Sequence, residues 1–324
     1  MTFTNRLSII FLGIFTAFVL IITHPPKVFS ITQQQKTVDK ISRITTVVVS
    51  EGLEKKGAVE SCISINKTLH ERLGSGVIVG KKGNTAPYTY YVLTALHVVP
   101  DPDTPYGIRT SDREVYPVAS SNSIEQFGRQ QGERNERIDG FDLAVIKFES
   151  HKSYYTAPVG NSDKIGEGDE VFVSGWPIPD DDRIDQEKRK RKTLSGKVDK
   201  KLTSPKSDGG FDLSYTNNTK VGMSGGPVFD SQGYLIAIHG RKYSGIKINN
   251  FINIIKEGKS SLIDSASYLS FMKASEKLIK AGNNNIELAD NIEDIRDLII
   301  CLDDVLQRKL QECQKTPSFM ETER

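Results

Sequence analysis

The stretch Gly222-Met223-Ser224-Gly225-Gly226-Pro227 places a serine inside a glycine-rich turn that leads directly into a short apolar run. A serine hydroxyl is a poor nucleophile until a base removes its proton, and acyl transfer also needs backbone N–H groups aimed at the developing oxyanion. Glycines let the chain turn so tightly that the amides of Gly222 and Ser224 can point at one oxygen. Such a turn is also common without chemistry, so the segment is informative only if a base lies elsewhere.

A histidine and an aspartate beside two other apolar runs could complete this chemistry. His97 follows an apolar run in Thr94-Ala95-Leu96-His97-Val98-Val99 and is the best candidate for a general base. Asp142 opens the apolar run of Gly140-Phe141-Asp142-Leu143-Ala144-Val145-Ile146, where its carboxylate could orient an imidazole and stabilise its charged form. Alone, each residue has an ordinary structural explanation. Together, the order His, Asp, Ser and the separations of 45 and 82 residues suit two consecutive barrels with the site between them.

Short runs of β-branched and aromatic residues, separated by Gly, Asn, Asp and Pro clusters, dominate the chain outside its two ends. Many short strands with no helical period between them predict an all-β sandwich or barrel. Gly and Asn supply the left-handed dihedrals for two predicted hairpin turns, at Lys81-Lys82-Gly83-Asn84 and at Asp230-Ser231-Gln232-Gly233. The predicted strands cover residues 44–50, 77–80, 90–94, 143–148, 171–174, 211–215, 228–229 and 234–239.

These segments, together with Gly74-Ser75-Gly76-Val77-Ile78-Val79, make the chain resemble the trypsin-like serine peptidase family, and specifically its exported bacterial branch without the vertebrate disulfides. The resemblance runs from residue 74 to residue 227 and implies a trypsin-like domain over residues 31–257. It implies an all-β fold of two antiparallel six-stranded β-barrels. It also implies a catalytic triad and an oxyanion hole, and we expect neither a metal nor a cofactor. The triad would be His97, Asp142 and Ser224, and the hole would be the amides of Gly222 and Ser224.

The sequence departs from the family pattern at two positions beside the predicted triad. Met223 stands where trypsin has an aspartate that pairs with the new amino terminus after zymogen cleavage, so that ion pair cannot form here. Many bacterial relatives have asparagine at this position, but methionine offers no comparable hydrogen bond. Val98 stands where trypsin has a disulfide cysteine. Neither departure removes a reacting group.

Three residues predict the specificity pocket through the same resemblance. Thr219 and His239 lie where glutamyl endopeptidases of this family hold a substrate carboxylate, and Asn218 replaces the aspartate at the base of the trypsin pocket. A hydroxyl and an imidazole can both donate charge-assisted hydrogen bonds to that anion, and Lys220 and Arg241 would add positive potential. This pattern predicts cleavage after Glu and less after Asp. The alternative is that His239 only satisfies a backbone group at the end of its strand.

The first thirty residues have the layout of a secretory signal peptide. Arg6 precedes a mostly apolar run over residues 7–22, and Val28 and Ser30 are small enough for a cleavage site after Ser30. The competing interpretation is an uncleaved membrane anchor, although sixteen residues are fewer than the ~20 that span a bilayer. Both interpretations place the rest of the chain outside the cytoplasm, either secreted or periplasmic.

Charge and composition indicate a soluble globular protein and exclude few partners. The 324 residues carry a formal charge of +2, which creates no global field that would attract nucleic acid. A run of basic residues over 183–206 could bind phosphates, but without interleaved aromatic residues a solvated loop is the better interpretation. We therefore expect polypeptide substrates and no nucleic acid.

After about residue 257 the apolar pattern becomes helical. Ile292, Ile295, Ile299, Leu302 and Leu306 recur at spacings of three and four, which predicts a short helical appendage over residues 258–324. This tail could brace the barrels, or it could mediate self-association or docking of a partner.

Two classes of function compete. The first is a secreted serine endopeptidase that acts through an acyl-enzyme, and the second is a catalytically silent barrel that binds peptides or a partner. The complete triad favours the enzyme, whereas Met223 favours the silent barrel. A third variant, a quality-control protease of the HtrA type, would carry a further peptide-binding domain of mixed strand and helix, which the helical pattern of the tail does not suggest.

Overall fold

A computed structural model describes residues 33–51, 73–118, 120–131, 137–179, 189–202 and 204–264. Thirteen β-strands and two α-helices lie within these ranges. In chain order they are α1 (Gln33–Thr45), β1 (Thr46–Glu51), β2 (Leu73–Lys82), β3 (Tyr88–Thr94), β4 (Tyr106–Arg109), β5 (Val115–Pro117), β6 (Ile124–Gln131), β7 (Arg137–Ser150), β8 (Glu170–Gly175), β9 (Lys192–Lys201), β10 (Leu213–Tyr215), β11 (Pro227–Asp230), β12 (Leu235–His239), β13 (Ser244–Lys247) and α2 (Ile248–Lys256).

The first seven strands form one curled antiparallel sheet in the order β5-β4-β1-β2-β3-β7-β6. Its central strands carry apolar side chains on both faces. One face packs inside the curl of the sheet, and the other packs against the second half of the protein. Strands β3 and β7 pair with Thr94 opposite Ala144. This register brings the chain just after β3, where His97 lies, next to Asp142 in β7.

The last six strands close into a barrel in the order β10-β13-β12-β11-β8-β9. Strands β11 and β12 form a hairpin with Pro227 opposite Ile238. The Gly225 N–H donates to His239 O at 2.6 Å and the His239 N–H donates to Gly226 O at 2.8 Å, so the turn that carries Ser224 is fixed against the end of β12.

A shared hydrophobic core joins the sheet and the barrel. Val77 and Leu93 from the sheet pack in one buried cluster with Phe172 and Phe229 from the barrel. Burial of side chains of this size contributes roughly 1.5 to 3 kcal/mol each, so this core holds the two halves in a fixed relation. Helices α1 and α2 add the buried residues of their apolar faces to the same cluster: Val38, Ile41, Ile248, Phe251, Ile252 and Ile255.

The predicted all-β trypsin-like fold is confirmed, with a more detailed geometry than the sequence indicated. One half is the expected closed six-stranded barrel, whereas the other is a curled seven-stranded sheet. Each of the eight predicted strands overlaps an observed strand, and both predicted hairpins are present between antiparallel neighbours.

One local interpretation was wrong. The basic run over 183–206 is not a solvated loop throughout, because Lys192–Lys201 forms β9 and closes the barrel. The structure also contains two helices that were not predicted, α1 and α2, and five apolar side chains of α2 are buried against the barrel. The predicted signal peptide and nearly all of the predicted helical tail lie outside the described residues.

Candidate active site

His97 and Asp142 form a hydrogen-bonded pair where the sheet faces the barrel. The His97 ring Nδ1 lies 2.7 Å from Asp142 Oδ2, and the His97 backbone N–H donates to Asp142 Oδ1 at 2.9 Å. The Asp142 side chain is fully buried, while 31% of the His97 side chain is exposed. One ring nitrogen is therefore fixed by the carboxylate, and the imidazole remains accessible from solvent.

Ser224 lies in a turn whose shape requires glycine on both sides. Gly222 and Gly225 adopt φ angles of +90° and +81°, which side chains with a Cβ rarely adopt. A Cβ on Gly225 would lie 2.2 Å from both Ser75 O and Thr94 Oγ1, so the turn packs directly against the sheet. The Ser75 N–H donates to Ser224 O at 2.7 Å and fixes the serine backbone from the sheet side.

The Ser224 hydroxyl donates to Gly240 O at 3.0 Å. Within the described part of the chain, this carbonyl is its one hydrogen-bond partner. A Cβ on Gly240 would lie 3.3 Å from Asp142 Oδ2, so Gly240 is close to both the serine and the aspartate. The structure therefore brings the three predicted triad residues to one place, with the serine hydroxyl turned towards Gly240 rather than His97.

The amides of Gly222 and Ser224, which were predicted to form an oxyanion hole, belong to peptides whose carbonyls are bonded within the protein. Val221 O accepts from Ile178 N–H at 2.9 Å, and Met223 O accepts from Gly226 N–H at 3.0 Å. Because a trans peptide points its N–H opposite to its C=O, the Gly222 and Ser224 N–H groups point away from these inner contacts. Neither N–H donates to another described residue.

The three predicted pocket residues differ in environment. His239 is 2% exposed at the end of β12, and its Nδ1 lies 2.6 Å from the Tyr215 hydroxyl. Burial, and secondarily the charge of His97, lowers the pKa of His239 to about 4, while a backbone contact from Ser244 acts in the opposite direction. Thr219 is partly exposed and Asn218 is exposed. His239 is therefore a neutral imidazole at ordinary pH.

Two residues beside the serine turn were not predicted from the sequence. Ser75 donates from its Oγ to Gly222 O at 2.8 Å, and the buried Arg189 places its Nη2 3.1 Å from the same oxygen. Ser75 belonged to a recognised segment without a role, and Arg189 was part of the basic run. Nothing in the local sequence distinguishes Arg189 from its exposed neighbour Lys190.

The described residues contain no group of three or more His, Cys, Asp or Glu side chains placed to bind a metal ion. Across the same ranges, none of the helices combines the length and the apolar character needed to cross a membrane.

Comparison with known proteins agrees with this geometry. Residues 74–238 match the sequence model of the family described as "Trypsin-like peptidase domain". No curated protein matches the chain. A solved structure described as "Crystal structure of Deg5" is similar at 16% identity and a TM-score of 0.45, over 68% of this chain and 91% of that chain. The family match covers just over half of the 324 residues, and the chain therefore belongs to the trypsin-like peptidase domain family.

Proposed function

We propose that this protein is a serine endopeptidase that cleaves polypeptides through an acyl-enzyme on Ser224. The observation that carries the proposal is the His97–Asp142 pair, with its 2.7 Å contact, together with a serine whose hydroxyl bonds to Gly240, which is also close to Asp142. A binding module needs no such combination of base, carboxylate and nucleophile. Membership of the trypsin-like peptidase domain family supports the same assignment.

In the proposed reaction, His97 removes the proton from the Ser224 hydroxyl as its oxygen attacks the carbonyl carbon of the substrate. The imidazolium, stabilised by Asp142, then gives the proton to the leaving amine as the peptide bond breaks. Water adds to the resulting ester by the same route, releasing the acid and restoring the serine. For attack, the Ser224 hydroxyl turns from Gly240 O to the His97 ring, a small side-chain rotation of the kind that substrate-free sites often require.

The amides of Gly222 and Ser224 would bind the negative charge that develops on the substrate oxygen. Neither N–H group has a partner among the described residues. The carbonyl on the other side of each peptide accepts a hydrogen bond, which fixes the direction of the N–H. Donors that are fixed before the reaction stabilise this charge without reorganising. Met223 is buried beside them and contributes packing rather than a hydrogen bond.

Reaction with a fluorophosphonate probe tests the proposal directly, because this reagent phosphonylates only activated serines. We expect the wild-type protein to be labelled on Ser224 and to cut internal bonds of an unfolded polypeptide, as mass spectrometry of the fragments would show. Ser224→Ala should abolish both and keep the fold, since the lost hydroxyl contributes little packing. An unlabelled and inactive wild-type protein would favour the catalytically silent barrel, which binds peptides without cleaving them.

For specificity, we propose a preference for Glu, and less for Asp, before the scissile bond. Support comes from His239 and Thr219 beside the serine turn and from the aspartate-free base at Asn218. In the tautomer in which Nδ1 accepts from Tyr215, the His239 Nε2 carries a proton that it can donate to a substrate carboxylate. Profiling with a peptide library decides this point: dominant cleavage after Arg, Lys or large apolar residues, or an unchanged preference in His239→Ala, would contradict it.

We also propose that the protein is exported, on the basis of the signal-like pattern of residues 1–30. Expression of the full chain in a bacterial host, followed by amino-terminal sequencing of the exported product, provides the test. We expect the mature chain to begin at Ile31. A product retained in the cytoplasm would contradict export, and a membrane-bound product with its first residues intact would indicate the anchor instead.

A further inference from the structure

Arg189 is a buried cation beneath the loop that carries the nucleophile. Its side chain is 1% exposed, and within the described part of the chain no carboxylate pairs with it. Its Nε and Nη1 also lack partners among these residues. Burial of an uncompensated charge is costly, and Arg109 nearby adds repulsion that, after burial itself, lowers the pKa of Arg189 to about 9. Packing alone does not explain a guanidinium at this position.

The contacts that Arg189 does make are all with backbone carbonyls around the oxyanion loop. Its Nη2 donates to Trp176 O, to Gly222 O at 3.1 Å and to Gly74 O at a longer 3.4 Å. Trp176 lies in the segment after β8, whereas Gly222 lies two residues before the nucleophile. Arg189 therefore joins two chain segments that are also linked by the backbone bond from Ile178 N–H to Val221 O.

The same oxygen of Gly222 receives a second donor from the sheet. Ser75 Oγ donates to Gly222 O at 2.8 Å and accepts from Trp176 N–H at 2.8 Å. With its carbonyl held by two donors, the peptide that joins Gly222 to Met223 cannot rotate without breaking a charge-assisted hydrogen bond. This peptide stands in the chain between the two peptides that carry the Gly222 and Ser224 N–H groups, so its fixed orientation restricts how either of them can turn.

We propose that Arg189 is a positioning residue that holds the oxyanion hole open from within the chain, taking the role that an ion pair at position 223 cannot fill because Met223 is there. The proposal rests on the proposed function, since it concerns the same site. It implies that this part of the site is assembled without a newly cut amino terminus. The loop is then organised by a guanidinium that donates to Trp176 O and Gly222 O.

Kinetics of Arg189→Met test this assignment, because methionine keeps much of the side-chain volume and removes every donor. We expect kcat to fall by about 10² to 10³, the loss typical for a missing oxyanion donor, with KM little changed. The rate of fluorophosphonate labelling should fall in parallel. Lys190→Met, which changes the exposed neighbour, is the matched control and should behave as wild type.

Two further variants separate positioning from folding. In Arg189→Ala, added guanidinium should restore part of the lost kcat, which a merely destabilised protein would not show. Arg189→Lys keeps the charge, but its side chain is shorter and does not bring a donor to the position of Nη2, so kcat should fall roughly tenfold. If the methionine and alanine variants fail to fold, as judged by circular dichroism, the lysine variant decides.

Different results would overturn the role of Arg189 and the proposed function of the protein. A wild-type protein that does not react with the probe would overturn the proposed function itself. A reactive wild-type protein whose folded Arg189→Met variant reacts at the same rate, with an unchanged kcat, would overturn only the role of Arg189. An unchanged kcat in Arg189→Lys, where the other two variants are unfolded, would overturn it as well.

Discussion

Asp142 holds His97 through both of its carboxylate oxygens: Oδ2 lies 2.7 Å from the ring Nδ1, and Oδ1 accepts the His97 backbone N–H at 2.9 Å. The second bond fixes where the histidine stands, and the first fixes which ring nitrogen carries the proton. A carboxylate accepts at both oxygens and so keeps the proton on Nδ1, leaving Nε2 free to act as a base.

Asp142→Asn should separate these two functions of the aspartate. The amide oxygen can still accept the backbone N–H, so we expect a folded protein with His97 in place. The amide nitrogen would instead donate to Nδ1 and force the proton onto Nε2, so kcat should fall by about 10⁴. Steady-state kinetics and a thermal unfolding curve measure the two effects. Activity within tenfold of wild type would show that Asp142 does not set the His97 tautomer.

The buried His239 predicts a stability that depends on acid. Its pKa is about 4 in the folded protein, below the ordinary 6.5, so between these values the unfolded chain binds a proton that the folded protein does not. The free energy of unfolding is therefore complete above pH 6.5 and falls by about 3 kcal/mol as the pH drops to 4. Burial is the main cause of the lowered pKa of His239, so added salt should change this loss of stability little.

Urea unfolding of wild type and His239→Asn at pH 7 and pH 4 measures this contribution. The asparagine keeps an acceptor for the Tyr215 hydroxyl and removes the titration, so its stability should fall less over this interval. His151→Asn changes an exposed histidine and should retain the wild-type pH dependence. If wild type and His239→Asn lost the same unfolding free energy between pH 7 and pH 4, the folded protein would tolerate a protonated His239.

Much of the fold and the three candidate triad residues could be predicted from the sequence because their signals are local. Each candidate triad residue stands at the edge of an apolar run, and each run is a strand that pairs where the expected architecture needs it. Strand β9 was missed because its alternation is carried by charged residues, with Val198 as its one fully buried apolar side chain. Strand β6, Ile124–Gln131, was also missed because it is mostly polar. It forms an edge of the sheet.

Arg189 shows why part of the site could not be predicted. Its sequence neighbours are basic and exposed, and a run of that composition is usually solvated. Its role depends on contacts with Trp176 O and Gly222 O, which lie 13 and 33 residues away in the chain. Backbone carbonyls leave no trace in the sequence, so only the folded geometry identifies such a partner.

The segment over residues 260–263 gives a third prediction, because it packs onto the sheet. The Glu125 carboxylate accepts from Ser260 Oγ and Ser261 N–H, both at 2.6 Å, and from Leu262 N–H at 3.2 Å, and Ile263 is 2% exposed. A chain that ends after Asp264 should keep full stability and activity. A chain that ends after Glu257 should lose about 3 to 5 kcal/mol of unfolding free energy.

Chemical denaturation of the two truncated chains, with probe labelling of each at low temperature, measures this difference. Glu125→Gln, made in the chain that ends after Asp264, keeps the side-chain shape and weakens the charge-assisted hydrogen bonds. Its loss of unfolding free energy should be smaller than that of the chain that ends after Glu257, about 1 to 2 kcal/mol. Both truncations keep every predicted triad residue. Equal stability of the two chains would mean that residues 258–264 are dispensable to the barrels.

Gly222 and Gly168 allow a comparison that isolates the geometry of the oxyanion loop. Their φ angles are nearly the same, +90° and +88°, so alanine costs similar backbone strain at either position, roughly 1 to 3 kcal/mol. Around Gly168 a Cβ would meet nothing within 4 Å, whereas on Gly222 it would lie 2.8 Å from Trp176 O and 2.9 Å from Arg189 Nη2.

Gly168→Ala should thus lower stability and leave kcat unchanged. Gly222→Ala should push the loop off its backbone partners, turn its amide away from the substrate oxygen and lower kcat by about 10² to 10³. Thermal unfolding and steady-state kinetics of both variants provide the test, and a Gly222→Ala protein with wild-type kcat would show that this amide takes no part in the reaction.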